Sequence, residues 1–231
     1  MIKETNLSKL EEVANILLNL EPEPDKKFGW AIVHHPVFNC AVVPHEDAFL
    51  DIRKDSEMKK AREVYRELFK KIEKPGIYLS VLNKPYLGLF FKLVRDYLNE
   101  YDYTMMLRIL WTTMEFPNQD ADVSRAEYLK FWRKVNTEYI YNEDDLKLLS
   151  SLPNEITIYR GLMPKARKEG LSWTLSYDKA KWFANRFQDK QGIIYQATVK
   201  KSDIIAYLSD RNEDEVIVDF KKLYNVKKIS G

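Results

Sequence analysis

Two glutamates, Glu213 and Glu215, stand one residue apart, directly before the apolar run at residues 216–218. In a β-strand, residues i and i+2 point to the same face, so both carboxylates are expected on one side of a sheet. Like charges that close disfavour joint ionisation. Paired carboxylates at a cleft can stabilise a developing positive charge and move a proton. An edge strand with two solvated acids explains the segment equally well when it is taken alone.

The second candidate is Arg160, which follows a strand pattern at residues 156–159 and precedes Gly161. The glycine lets the chain turn, and a planar guanidinium at that place can bind phosphate in a bidentate manner. Taken alone, an ordinary surface arginine is the simpler interpretation of this motif.

The third candidate is the pair Ser172 and Thr174, which flank Trp173 in a strand pattern. Alternation puts both hydroxyls on one face, where they can orient a carboxylate and a ribose. Strand propensity and capping of the helix that follows explain the same residues without a ligand.

In their order and separations the three motifs resemble those of the ADP-ribosyltransferase superfamily, in its Arg–Ser–Glu branch. That branch has an aromatic-Arg pair near the first strand, a Ser-Thr-Ser-like strand before a helix, and Glu-x-Glu opening a later strand. The resemblance covers residues 156–219. It departs at Trp173, where a small hydroxyl residue is usual, and Thr174-Leu175-Ser176 is an alternative register for the middle motif.

The resemblance implies that the nicotinamide–ribose bond of NAD⁺ breaks and that ADP-ribose passes to a nucleophile. Glu215 then stabilises the developing cation, and Glu213 orients or deprotonates the acceptor. Arg160 holds the pyrophosphate or the adjacent ribose, and Ser172 positions Glu215. The other residues of the implied NAD⁺ site are Tyr159, Gly161, Thr174 and Phe183. NAD⁺ is the substrate, and no metal is expected.

The expected function is therefore mono-ADP-ribosyl transfer to a macromolecule. Glu213 favours an arginine of a protein as the acceptor, while nucleic acid and small molecules stay open. Residues 209–212 resemble the loop that helps to choose the target. The family suggests a toxin, effector or phage protein that acts on host machinery. Two alternatives are kept: an NAD⁺ glycohydrolase with water as acceptor, and a non-catalytic binding module that retains the fold.

The composition predicts a globular protein with one large domain or two small ones. Of its 231 residues, 45% are hydrophobic and 31% are charged. The balance of 37 basic and 35 acidic residues does not favour nucleic acid or an anionic membrane. With a single cysteine, Cys40, no internal disulfide is expected, and the chain starts without the apolar segment of a signal peptide. We therefore expect a cytoplasmic protein without a membrane span; the oligomeric state cannot be read from the sequence.

The apolar patterns predict an α+β fold, with a mostly helical region at 1–152 and an ADP-ribosyltransferase-like module at 153–231. Helices are expected at 7–20, 56–73, 86–115 (two helices), from 124, and at 142–151, with strands at 30–33 and 40–43. The second region has strands at 156–159, 171–175, 192–199, 204–208, 216–218 and 226–229, with a helix after Ser176 that carries Ala180, Phe183, Ala184 and Phe187. We expect the helical half to pack on a mixed β-sandwich, two small sheets around an NAD cleft, and to recognise the target or cover the cleft.

Two other groups of residues are weighed and set aside. All three histidines and the cysteine lie within twelve residues, but their spacing fits no familiar zinc finger and prolines interrupt the segment; they are His34, His35, Cys40 and His45. Tyr and Trp are dense over residues 86–141, with Lys and Arg among them, as in surfaces that stack single-stranded nucleic acid. Their helical spacing favours a hydrophobic core instead.

Overall fold

The computed structural model describes residues 3–114, 120–163, 166–186 and 192–230. The described residues form two compact units. The N-terminal unit comprises residues 3–114 and 120–123, and the C-terminal unit comprises the described residues from 124 onward. The helices at 125–151 therefore belong to the same unit as the C-terminal sheet, whereas the boundary was expected at 152/153.

The N-terminal unit contains five α-helices and two β-hairpins within the described residues. The helices are α1 (Leu7–Leu18), α2 (Asp55–Lys70), α3 (Tyr78–Val81), α4 (Leu87–Val94) and α5 (Glu100–Thr113). One antiparallel hairpin joins β1 (Glu23–Asp25) to β2 (Gly29–His34), and the other joins β3 (Val42–His45) to β4 (Ala48–Asp51). The sequence missed β1 and β4, which are short and largely exposed. No described helix has both the length and the apolar character needed to cross a membrane.

The predicted helical segment at 86–115 is two helices, as expected, but they meet earlier than Tyr101. A short 3-10 turn at Arg95–Tyr97 ends α4, and the Asn99 side chain caps α5 by accepting a hydrogen bond from the Asp102 backbone N–H at 2.8 Å. Residue 115 lies outside the described residues. The aromatic residues of this part of the chain are core residues, as predicted: Phe90, Phe91, Tyr103 and Trp111 in the N-terminal unit, and Tyr128 and Trp132 in the C-terminal unit.

His35 is a buried, neutral residue of the N-terminal core. Its Nδ1 accepts hydrogen bonds from the backbone N–H groups of Val37 and Phe38, both at 3.0 Å. Its Nε2 lies 3.1 Å from the Leu20 carbonyl oxygen. Since Nδ1 accepts, the proton must be on Nε2, which donates to that carbonyl. Burial lowers the pKa of His35 to about 4.

We expect the N-terminal unit to lose stability as the pH falls. The unfolded chain binds a proton at His35 near 6.5, whereas the folded chain binds it only near 4. The stabilisation is therefore complete above about pH 6.5 and is lost towards pH 4, amounting to about 3 kcal/mol. Urea unfolding of the wild type and of His35→Gln across this pH range measures the difference. The dependence of the unfolding free energy on pH should become weaker in His35→Gln and stay unchanged in His34→Gln, whose side chain is 56% exposed. Equal pH dependence in the wild type and His35→Gln would contradict a buried, neutral His35.

The C-terminal unit is built on one six-stranded sheet. Its elements are α6 (Arg125–Trp132), α7 (Glu143–Ser151), β5 (Glu155–Leu162), β6 (Ser172–Thr174), α8 (Tyr177–Asn185), β7 (Ile193–Lys200), β8 (Ile204–Leu208), β9 (Glu215–Val218) and β10 (Tyr224–Ser230). The strand order is β10-β7-β5-β6-β9-β8, and each neighbouring pair is antiparallel. The predicted strands are present in the sheet. The predicted mixed β-sandwich is wrong for the described residues, because the three-residue strand β6 joins β5 to β9 and makes one continuous sheet.

The two faces of this sheet have different coverings. One face carries a buried apolar cluster that includes Ile158, Trp173 and Val216. The other face packs against α8, whose Ala180 and Ala184 are buried beside Ile194 and Tyr159. Phe183 of α8 is half-buried, and Phe187, the last residue of the predicted helical stripe, lies outside the described residues.

Gly161 allows α8 to approach β5 and does not form a turn. It lies inside β5, and a Cβ at this position would overlap the backbone carbonyl oxygen of Ala180. A Cβ on Gly192 would likewise overlap the carbonyl oxygen of Ala184. The backbone of α8 therefore lies directly on two glycines, which fixes the helix against the sheet.

Candidate active site

Four of the predicted site residues lie together on one face of the sheet. Thr174 of β6 pairs with Tyr159 of β5 on one side and with Glu215 of β9 on the other. Directly opposed residues of antiparallel strands have their side chains on the same face. Ser172 joins this face because it lies two residues before Thr174 in the strand. We call these four residues the site row.

Glu215, the acidic residue of the site row, is nearly buried. Glu215 is 6% exposed and Thr174 is 5% exposed. Removing a carboxylate from water costs free energy unless charges or hydrogen bonds compensate for it. A buried negative charge also acts strongly on any positive charge brought close to it, because little water screens the attraction.

The Thr174 hydroxyl connects three parts of the site. It donates a hydrogen bond to the Glu213 carbonyl oxygen at 2.7 Å and accepts one from the Ser176 backbone N–H at 3.1 Å. Ser176 in turn is the N-cap of α8, where its side chain accepts from the Lys179 backbone N–H. Thr174 therefore fixes strand β6, the Glu213 turn and the start of α8 to one another. Its predicted contact with NAD⁺ stays a prediction.

We expect Thr174→Val to destabilise the C-terminal unit by about 1–3 kcal/mol, because it leaves a partly buried carbonyl and a partly buried N–H without their partner. The substitution keeps the shape of the side chain and removes only the hydroxyl. Denaturant unfolding gives the free energy, with Thr174→Ser as the matched control that retains the hydroxyl. Equal stability of the valine and serine variants would contradict the connecting role.

Glu213 does not lie in the strand that begins at Glu215. Strand β9 starts at Glu215, and Asp214 before it has a left-handed backbone with φ of 49°. The expected alternation of the two glutamates on one strand face is therefore wrong. The Glu213 side chain is 16% exposed and pairs with Arg211, whose Nη2 lies 3.0 Å from Oε2. The two carboxylates consequently have different environments.

Contacts to Asp214 explain why the chain turns here. The Tyr207 hydroxyl donates to Oδ1 of Asp214 at 3.0 Å, and the Leu175 backbone N–H donates to the Asp214 carbonyl oxygen at 3.0 Å. A left-handed conformation is unfavourable for a residue with a side chain and persists only where its surroundings hold it. Tyr207, in β8, is a residue that the sequence did not single out, because no local motif marks it.

Arg160 is half-buried on the sheet face opposite the site row. Alternation along β5 puts it on the side of Ile158, and its Nη1 donates to the Ser172 carbonyl oxygen. Its guanidinium packs against Gly170, where a Cβ would overlap it. Its Nε is buried and has no hydrogen-bond partner among the described residues.

The charge of Arg160 is influenced by its neighbours but persists at neutral pH. Burial lowers the pKa of Arg160 to about 10, while the nearby negative charge of Glu215 opposes this shift and the positive charge of Arg125 adds to it. A pKa of about 10 still leaves the guanidinium protonated near pH 7.

Side-chain donors from three elements hold the segment that leads into β6. They are Nη1 of Arg125 to the Glu169 carbonyl oxygen, Nε1 of Trp173 to that of Gly170 at 3.1 Å, and Nη1 of Arg160 to that of Ser172. Trp173, which departs from the family pattern, thus has a positioning role. The contacts of Arg160 are also those of a positioning residue, and its predicted contact with the pyrophosphate stays a prediction.

Aromatic residues flank the site row on the side of α8. The Tyr159 and Tyr177 rings pack edge-to-face with their centroids 5.6 Å apart, and Tyr177 is 40% exposed. Further along α8, Trp182 is 54% exposed, and the centroid of its ring lies 5.0 Å from that of the Phe183 ring. Tyr177 was missed by sequence reasoning, although its place as the first residue of the helix after the middle motif is a signal.

The histidines and the cysteine each have local contacts. They lie in the N-terminal unit, where His34 contacts Asp25 at 3.0 Å and Cys40 donates to the Val42 carbonyl oxygen. Among the described residues there is no group of three or more His, Cys, Asp or Glu that could hold a metal ion.

No family model, curated protein or solved structure matches this chain.

Proposed function

We propose that the protein is a mono-ADP-ribosyltransferase, which cleaves NAD⁺ at the nicotinamide–ribose bond and transfers ADP-ribose to a macromolecule. One observation carries the proposal. Three separate motifs contribute residues to one sheet face: Tyr159, Ser172 and Glu215. Thr174 of β6 pairs with Tyr159 of β5 on one side and with Glu215 of β9 on the other. The resemblance concerns these same motifs.

The chemistry of the residues fits NAD⁺ as a substrate. The carboxylate of Glu215 can accept hydrogen bonds from ribose hydroxyls, and Ser172 offers a hydroxyl at a half-buried position. The rings of Tyr159 and Tyr177 provide aromatic surface for a flat, positively charged nicotinamide. NAD⁺ supplies an activated ribose whose bond to nicotinamide breaks with growing positive charge on the sugar.

The two carboxylates are suited to different roles because their environments differ. Glu215 is nearly buried, so its negative charge stabilises the developing cation with little screening. Glu213 is more exposed and already binds a guanidinium, so it can orient an acceptor and take its proton. Arg160, Trp173 and Thr174 keep the strand and the turn in place.

Incubation with NAD⁺ labelled in the adenine, together with a bacterial lysate, tests the proposal. We expect nicotinamide release and label in the macromolecular fraction. Release without macromolecular label would replace the transferase with an NAD⁺ glycohydrolase. Absence of release, together with no shift of the melting temperature by NAD⁺, would leave a non-catalytic binding module. Mass spectrometry of the labelled macromolecules identifies the acceptor as protein or nucleic acid.

A further inference from the structure

Arg211 already forms an ion pair with Glu213, the carboxylate proposed to bind the acceptor. The Arg211 guanidinium is 3.0 Å from the Glu213 carboxylate, two residues away in sequence. Arg211 is 48% exposed and Glu213 is 16% exposed. An exposed ion pair of this kind contributes about 1 kcal/mol or less to stability, so folding does not require it.

The turn that carries Arg211 holds it in an unfavourable backbone conformation. Arg211 and Asn212 have φ values of 58° and 55°, and the Asn212 N–H donates to the Ser209 carbonyl oxygen at 3.1 Å. The far end of the turn is fixed at Asp214 by Tyr207. A guanidinium held within such a short turn has a high effective concentration at Glu213, far above that of a free acceptor.

We infer that Arg211 is an acceptor within the same chain, so that the protein ADP-ribosylates its own Arg211. This inference rests on the proposed function. An Nη of Arg211 forms a bond to the ribose carbon that carried nicotinamide. The bond from that carbon to nicotinamide breaks, and its electron pair leaves with nicotinamide, which becomes neutral. The proton lost from Nη passes to the Glu213 carboxylate and then to water.

A consequence is that Arg211 competes with any external guanidinium for Glu213. An acceptor must displace an ion pair worth about 1 kcal/mol or less, which corresponds to a factor of about five in affinity at most. This competition needs no NAD⁺, so it gives a readout that does not depend on catalysis.

The first test is the mass of the protein after incubation with NAD⁺ alone. We expect a gain of one ADP-ribose, located at Arg211 by peptide fragmentation, with an initial rate per molecule that does not change on dilution. Arg211→Lys should lose this modification. Arg53→Lys, which alters another exposed, ion-paired arginine, should be modified like the wild type.

The outcomes separate the inference from the proposed function. Nicotinamide release without modification at Arg211 overturns the inference alone, and so does modification that persists elsewhere at the wild-type level in Arg211→Lys. Absence of nicotinamide release in every variant overturns both. As the independent readout, NMR titration with agmatine, a small guanidinium compound, should show severalfold tighter binding to Arg211→Ala than to the wild type; equal affinities would show that Arg211 does not occupy the site.

Discussion

Replacing Glu215 with glutamine is expected to lower nicotinamide release from NAD⁺ by about 10²–10³-fold while the C-terminal unit stays folded. Glutamine keeps the size and shape of the side chain and removes the negative charge that opposes the developing cation. Because Glu215 is only 6% exposed, water cannot replace that charge. Nicotinamide release gives the rate, and circular dichroism during thermal unfolding gives the stability.

Glu213→Gln is the matched control for this experiment, since it removes the other carboxylate of the same motif. It should retain most of the nicotinamide release, with water taking the ADP-ribosyl group, and lose most of the transfer to an acceptor, because Glu213 acts on the acceptor. Equal loss of nicotinamide release in both variants would contradict the division of roles. Unchanged release in Glu215→Gln would remove Glu215 from the chemistry altogether.

Gly161→Ala is expected to destabilise the C-terminal unit by about 3 kcal/mol or more, at the upper end of the cost of overpacking. The new Cβ would overlap the Ala180 carbonyl oxygen, which belongs to the backbone of α8. Backbone atoms cannot rotate away as a side chain can, so the helix itself must shift from the sheet. Denaturant unfolding gives the change in free energy.

Gly76→Ala is the control, because a Cβ there meets only the Cδ1 of Ile109 at an ordinary distance of 3.6 Å. It should change the stability by less than about 1 kcal/mol. A Gly161→Ala protein as stable as the Gly76→Ala protein would show that α8 does not lie against β5 as described. Since Gly161 is also near the site row, a shift of α8 should reduce any NAD⁺ turnover.

Regular periodicity predicted most of the fold of the C-terminal unit. Strands β5, β7 and β8 and helix α8 are marked by apolar spacing, and Ser176 caps the helix as expected. The division into two small sheets failed because strand pairing depends on contacts between distant residues. Nothing in the three residues of β6 indicates that they hydrogen-bond to both β5 and β9.

The geometry around the predicted site residues could be derived from the sequence only in part. Alternation correctly put Ser172 and Thr174 on one face, because both lie in regular strand. That Glu215 shares this face follows from the pairing of β6 with β9, which no local pattern indicates. Alternation failed for Glu213, since the left-handed Asp214 interrupts the strand pattern. The packing of the Arg160 guanidinium against Gly170 was also not predictable, because it depends on residues ten positions apart coming together.

The most direct test of the central claim is a crystal structure of Glu215→Gln with NAD⁺, since this variant should bind the intact substrate without consuming it. The nicotinamide ribose should lie against the site row, beside residue 215 and Ser172, with an aromatic ring of Tyr159 or Tyr177 near the nicotinamide. NAD⁺ bound on another surface, or electron density for NAD⁺ absent from crystals grown in its saturating presence, would contradict the account.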